Sequence, residues 1–278
     1  QESDQQEWEL WCPHCKEHFA PLWRDALRAG HPEPAYLHRV EGAWREVGWA
    51  EAGERVDLRL ADLRRARAEA AKVHQRTGRS AGNGSLMRTA PLALAYLDDE
   101  QALVGAARAV SELTHFDRDA GDACVLWTVA IRRAVLTAEL DVRVGLRHLD
   151  PDRRELWSER LDVAESSRPA DIAKNGWTVA ALQAAWSAIV QTAPGSDALR
   201  ADHLRLGLDA AVRAGNDTDT VAAIAGGLLG AAYGASAVPL EWRVLLHGWP
   251  KMRAHDLVNL ASAIARGATP DTFDFSYF

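Results

Sequence analysis

The residues best suited to chemistry crowd into one short word, Gly215-Asn-Asp217-Thr218-Asp219-Thr220, where two carboxylates and two hydroxyls fall within four positions. Side chains at i and i+2 of an extended turn point the same way, and Thr220 adds a third oxygen from the next turn. Hard divalent ions such as Mg2+, Mn2+ or Ca2+ prefer such oxygen donors. Helix capping is the competing explanation, because Asp and Thr are favoured N-caps and an apolar helix begins at Val221. Capping uses one such residue, however, and here the Asp-Thr pair is duplicated. A second word, Ser80-Ala-Gly82-Asn83-Gly84-Ser85-Leu-Met87-Arg88, is rich in small residues that let backbone approach a ligand closely. If it opens straight into a helix, the first N–H groups and the helix dipole favour an anion there. No Lys follows the second glycine, so it is not a P-loop. A third glycine and a preceding strand are missing too, so it is not a dinucleotide fingerprint. A plain connector is the alternative. His115, in Thr114-His115-Phe116-Asp117-Arg118-Asp119, stands at a junction between two expected helices. It is either a surface or capping partner, or a contact to a nucleotide placed by the glycine loop.

A different kind of chemistry is suggested by Trp11-Cys12-Pro-His14-Cys15-Lys-Glu-His18. Cys-Pro-His-Cys is an active-site word of thioredoxin-like oxidoreductases, where a helix start lowers the first thiol's pKa. That fold needs a surrounding sheet, and no following run of residues reads as one. Cys12, Cys15 and His18, with His14 or His31, could instead bind zinc, although a single C-x-x-C is half of such a signature. Ordinary packing is the third reading.

The elements that must position these words read as helices. Asp98 and Asp99 sit where an N-cap belongs, and Leu103, Ala107 and Val110 recur at helical spacing. Ala120–Leu140 is expected as a long helix. Val179, Leu182, Trp186 and Ile189 form a stripe, followed by helices over Leu204–Arg213 and over Val221–Tyr233, the latter stopped by Gly234. Pro239–His247 and His255–Ala265 complete the series, and Arg59–Val73 reads as a solvated helix. No run of alternating β-branched residues stands out. The expected architecture is all-α: a compact multi-helix domain over residues 41–267, behind an irregular Trp/Cys/His-containing segment over 1–40 and ahead of a tail over 268–278. Plentiful Ala and Gly imply close helix approach.

The bulk numbers narrow the function classes. Of 278 residues, 47% are hydrophobic and 26% charged, the proportions of a globular protein with a real core. A net charge of −7 argues against a nucleic-acid partner. No window of 18 uninterrupted apolar residues suggests a membrane span. Gln1–Glu9 is polar and lacks the apolar stretch of a secretory signal. Three cysteines build no disulfide framework, which favours a reducing cytoplasm. Eleven tryptophans are present, five of them before residue 50, so the front segment differs in composition from the rest. No feature assigns an oligomeric state.

Taken in order, three words resemble the ADP-ribosylglycohydrolase family, over about residues 70–265. They are Gly82-Asn-Gly-Ser-Leu-Met-Arg-Thr-Ala-Pro91, Thr114-His115 with Ala120 and Ala123-Cys124, and Asp217-Thr-Asp-Thr220 with Ala225-Gly-Gly-Leu-Leu-Gly230. The resemblance implies an all-α fold with one or two Mg2+ ions, or Mn2+, in a central cleft. It also implies hydrolysis of the glycosidic bond joining ADP-ribose to a protein side chain or small conjugate. By that likeness Asp217, Asp219 and Thr220 ligate metal, with Asp217 and Asp219 the catalytic pair. Gly82, Asn83, Gly84, Ser85 and Met87 line the ADP-ribose site, and His115 contacts its adenosine or phosphate end. The family's second metal word, an N-terminal Thr-Asp-Asp cluster, is missing, since the first threonine of any kind is Thr77. A truncated chain, replacement ligands, or a protein that binds ADP-ribose without turning it over would each account for this.

Overall fold

A computed structural model describes residues 63–195, 199, 202–248 and 252–267 in full, and the backbone of elements within 8–11, 18–19, 35–40, 43–47 and 49–62. The chain divides into a first unit drawn chiefly from residues 1–65 and a second of residues 66–273. Cys12, Cys15, His14 and His31, and the expected tail over 268–278, lie outside the described residues.

The first unit holds strands where none were expected. They are β1 (Trp8–Trp11), β2 (His18–Phe19), β3 (Ala35–Val40) and β4 (Ala43–Val47), in the antiparallel order β2-β1-β3-β4. Leu10 pairs with Phe19 on one side and Tyr36 on the other, and Tyr36 pairs with Val47. Strands of two to six residues are too short for alternation to register in the sequence.

Helix α1 (Trp49–Thr77) follows, and its described stretch Leu63–Glu69 is exposed, as its charge implied. The second unit is helical: α2 (Leu92–Ala95), α3 (Glu100–Glu112), α4 (Arg118–Thr137), α5 (Pro151–Ser166), α6 (Thr178–Gln191), α7 (Asp202–Arg213), α8 (Thr218–Tyr233), α9 (Leu240–Leu245) and α10 (Ala254–Ala265). Its described strands are one pair of two residues each, His247–Gly248 and Met252–Arg253. The all-α reading of this region therefore holds. Among the described residues no helix is long and apolar enough to cross a membrane.

Helix α4 is the centre of the unit. Every residue from Ala120 to Ile131 is buried, which a helix tolerates only when packed on all sides. Helices α6 and α8 supply much of the rest of the core through Val179, Leu182, Ile189, Ile224 and Leu228. The small residues do permit close approach: a Cβ on Gly145 would sit 2.7 Å from the Leu126 Cα. The Trp127 indole N–H donates to the Ile224 carbonyl at 3.0 Å, tying α4 to α8. Helix starts follow the expected chemistry. Asp99 caps α3 by accepting from the Ala102 N–H, and Asp117 caps α4 by accepting from the Asp119 N–H.

Helix α5 was not foreseen. Its buried stripe is only Trp157, Leu161 and Ala164, set among charged residues, so the apolar period is faint although Pro151 at the first turn is a good start signal. The helix expected immediately after the glycine loop is not built as such. Leu86–Arg88 forms one 3-10 turn of three residues, and α2 beyond it has four. Thr89, Ala90 and Pro91 separate the two turns, so no long dipole points at the loop.

Candidate functional site

Three loops meet at the N-terminal ends of α6 and α8. The first is the glycine loop over Ser80–Ser85. Its backbone is stitched to the entrance of α6: the Asn83 N–H donates to the Gly176 carbonyl at 3.1 Å, and the Thr178 N–H to the Ala81 carbonyl at 2.9 Å. The second loop is Asn175-Gly176-Trp177, and the third is Gly215-Asn216-Asp217. Gly215 and Asn216 both adopt left-handed backbone, at φ of 79° and 61°. Gly carries that conformation without strain and Asn better than most residues, so the chain turns sharply into α8.

Two amide side chains join the loops. The Asn83 Nδ2 group donates to the Asn175 carbonyl at 2.8 Å and to the Asp217 Oδ2 at 2.7 Å. Asn175 is fully buried. Its Nδ2 group donates to the Gly215 carbonyl at 2.9 Å, and its Oδ1 accepts from the Asp217 N–H at 3.0 Å. The glycine loop and the Asp217 turn, 134 residues apart in sequence, are thus in direct contact.

Asp217 stands at the N-cap of α8 but makes no side-chain cap bond. The Thr220 N–H in the first turn still acts on the carboxylate and lowers its pKa, so capping accounts for part of its surroundings and the Asn83 amide for more. The Asn83 amide holds that carboxyl below the usual range, against the opposing effect of desolvation, and Thr220 and Asp219 add to the lowering. Asp219 is exposed in the first turn and Thr220 is buried. The Thr220 hydroxyl reaches the Met87 Sδ at 3.7 Å, which brings Met87 to the same corner.

His115 packs on the other side of the glycine loop. A Cβ on Gly82 would lie 3.1 Å from its Nε2, and one on Gly84 would lie 3.1 Å from its Cε1. A side chain at either glycine would make the ring shift by a few tenths of an ångström. Burial lowers its pKa, the nearby Arg88 lowers it further, and the imidazole is neutral near pH 7. The Thr114 hydroxyl, 2.7 Å from His115 Nδ1, also accepts from Arg88 at 2.6 Å and fixes the ring. Ser85 is fully buried, its hydroxyl 3.6 Å from the Cys124 thiol, so this side chain faces the core.

A cleft of about 410 Å3 opens beside this corner, lined among others by Ser80, Gly82, Asp117, Asp119 and Trp177. Ser80 is held by His74, with Oγ and Nδ1 2.7 Å apart. The structure thus places Gly82, Asn83, Gly84, Met87, His115, Asp217, Asp219 and Thr220 in one neighbourhood, with Ser85 turned inward. Sequence reading overlooked Asn175 and Trp177, though Asn-Gly-Trp directly precedes a clean helical stripe and Asn-Gly is a turn signal.

As a cation site, the α8 entrance supplies two carboxylates and a hydroxyl from one turn, a fit for one hard ion completed by water. Among the described residues, no group of three or more His, Cys, Asp or Glu side chains could hold a metal.

Comparison with known proteins agrees with this geometry. The family model described as ADP-ribosylglycohydrolase matches residues 18–272. The chain is similar to the ADP-ribosylarginine hydrolase Tri1 of Pseudomonas putida (strain GB-1), 30% identical over 165 residues, covering 59% of this chain and 41% of that protein. It is also similar to the ADP-ribosylhydrolase ARH3 of Homo sapiens, 28% identical over 200 residues, covering 61% of this chain and 55% of the relative. The chain therefore spans about half the length of the curated relatives it matches. A solved structure described as an ADP-ribosylglycohydrolase-related protein complex superposes with a TM-score of 0.52 at 28% identity, covering 73% of this chain and 69% of its own. With the family model spanning most of its length and the three words brought together in space, this chain belongs to the ADP-ribosylglycohydrolase family.

Proposed function

We propose that the protein hydrolyses the glycosidic bond between ADP-ribose and a protein side chain or small conjugate. The observation that carries this is the 2.7 Å hydrogen bond from Asn83 to Asp217, which sets a glycine-lined cradle beside the Asp217 and Asp219 carboxyl groups. Family membership and the names of the relatives support the bond class.

In this reading Gly82, Asn83, Gly84, Ser85 and Met87 form the ligand-facing loop, chiefly through backbone where Ser85 turns inward. The neutral ring of His115 backs the loop and keeps its conformation for the diphosphate or adenosine end. Asp217, Asp219 and Thr220 would hold a divalent ion, Mg2+ or Mn2+, which when bound supplies Lewis acidity and orients the ribose hydroxyls. Departure of the acceptor builds positive charge at the anomeric carbon, and the Asp217 and Asp219 carboxylates stabilise it electrostatically. Asn83 does two things at once: it fixes the loop and lowers the Asp217 pKa further below neutral.

One sequence observation favours a second reading. No Thr-Asp-Asp word, which the family resemblance pairs with the Asp217 turn, stands before Thr77 in this sequence, and a module that binds ADP-ribose without hydrolysis is the alternative. Calorimetry with ADP-ribose, run beside release of ADP-ribose from an ADP-ribosylated peptide with Mg2+ or EDTA, separates the two. Metal-dependent release is the expected result. Binding without release selects the module, and neither binding nor release removes both.

A further inference from the structure

The cleft has one feature that the family words do not touch. Trp177 lines it with 43% of its surface exposed, yet its indole is not free to swing. The Arg160 guanidinium lies over the Trp177 ring at 5.6 Å and over the buried Trp157 ring at 4.7 Å. The guanidinium is itself gripped: Nη1 donates to Asp119 Oδ1 at 2.8 Å and Nη2 to Asp119 Oδ2 at 3.2 Å. Asp119 also accepts from Arg153, and burial, which alone would raise its pKa, is outweighed by the two guanidinium groups, so it stays ionised. Arg153 donates in turn to Asp122 at 2.6 Å, a carboxylate only 1% exposed that also accepts from Arg108 at 2.7 Å and from the Trp157 indole at 3.3 Å.

An unbroken set of contacts therefore runs from a carboxylate in the core to an indole in the cleft. The backbone is held as well, since the Trp177 N–H donates to the Lys174 carbonyl and Trp177 bridges Gly82 across the loop. Arginine suits this task because its planar fork can meet a carboxylate with two donors while stacking on a ring. Aromatic faces recognise planar heterocycles by stacking, and a ring already immobilised loses less entropy on binding.

We infer that Arg160 is a positioning residue: braced by Asp119, it fixes the indole of Trp177 as a platform on which the planar base of the nucleotide stacks. The inference deepens the proposed function and rests on a ligand with a nucleotide base. Asp119, with both oxygens taken by arginine, serves the brace and not the reaction.

Adenosine monophosphate, which carries the base and one phosphate but no scissile glycosidic bond to an acceptor, tests this in the full chain. Calorimetric titration of wild type, Arg160→Gln, Trp177→Ala and the double variant gives a mutant cycle. Trp177→Ala should weaken binding about thirtyfold and Arg160→Gln about tenfold, while the double variant binds no more weakly than Trp177→Ala alone. Three results overturn the inference: wild type that does not bind the nucleotide, Arg160→Gln within twofold of wild type, or a full tenfold loss persisting in the Trp177→Ala background. If Arg160→Gln does not fold, Asp119→Asn takes its place, and its loss too should vanish when Trp177 is absent. The expected cycle together with no release of ADP-ribose from a modified peptide would leave the platform standing and remove the proposed reaction.

Discussion

Two pairs of aspartates, one on α4 and one at the start of α8, are held by opposite means. Asp119 and Asp122 are surrounded by Arg108, Arg153 and Arg160, with one oxygen of each carboxylate shared between two donors. Asp217 takes the Asn83 amide and, from its own helix turn, the hydroxyl and backbone N–H of Thr220, with the exposed Asp219 beside it. The difference separates structure from reactivity. A carboxylate gripped by guanidinium groups is neutralised as well as held, whereas one steadied by neutral amide, hydroxyl and backbone donors keeps its net charge.

The largest test of that contrast is Asp122→Ala. Removing a buried carboxylate strands two arginines, so the unfolding free energy should drop by about 3–5 kcal/mol in urea titration. A loss under about 1 kcal/mol would mean the arginines find water, and the structural half of the comparison would go. Asp217→Ala should do the reverse, leaving stability within about 1 kcal/mol of wild type while metal-dependent release of ADP-ribose falls roughly hundredfold or more. Normal turnover in that variant would contradict its assignment. Asn83→Ala removes its two side-chain bonds, to the Asn175 carbonyl and to Asp217, and ADP-ribose affinity should weaken about tenfold by calorimetry. Unchanged affinity would show that the cradle needs no tie to Asp217.

The smallest effect concerns pH. His203 is buried between the Tyr233 hydroxyl and the Ile189 carbonyl, at 2.7 and 2.8 Å, and burial lowers its pKa in spite of the Ile189 carbonyl. A histidine whose folded pKa lies below its unfolded value contributes full stability above about pH 6.5 and loses it as pH falls, by no more than about 1.4 kcal/mol per pH unit. Melting temperatures should therefore decline from pH 7 to 5.5, and less steeply in His203→Gln. Equal slopes in the two proteins would remove His203 as a cause.

Much of the helical unit was legible because its signals are local. Asp99 and Gly234 mark helix ends, and Val179, Leu182, Trp186 and Ile189 recur at helical steps. The glycine loop and the Asp217 turn were found by composition, since small residues and clustered oxygens stand out in one dimension. Trp177 and Asn175 were not, because their importance depends on residues far along the chain: Arg160 and Asp119 for one, Gly215 and Asp217 for the other. The short strands ahead of Trp49 escaped because two to six residues carry too little alternation.

The buried Asn175 has a consequence for how a ligand arrives. It bonds through its carbonyl to Asn83, through its amide group to Gly215 and through its side-chain oxygen to the Asp217 N–H. Parting any two of these loops would strand a buried polar group, a cost of about 1–3 kcal/mol. A ligand therefore meets three loops already biased toward a single arrangement, and little of its binding free energy is spent on ordering them.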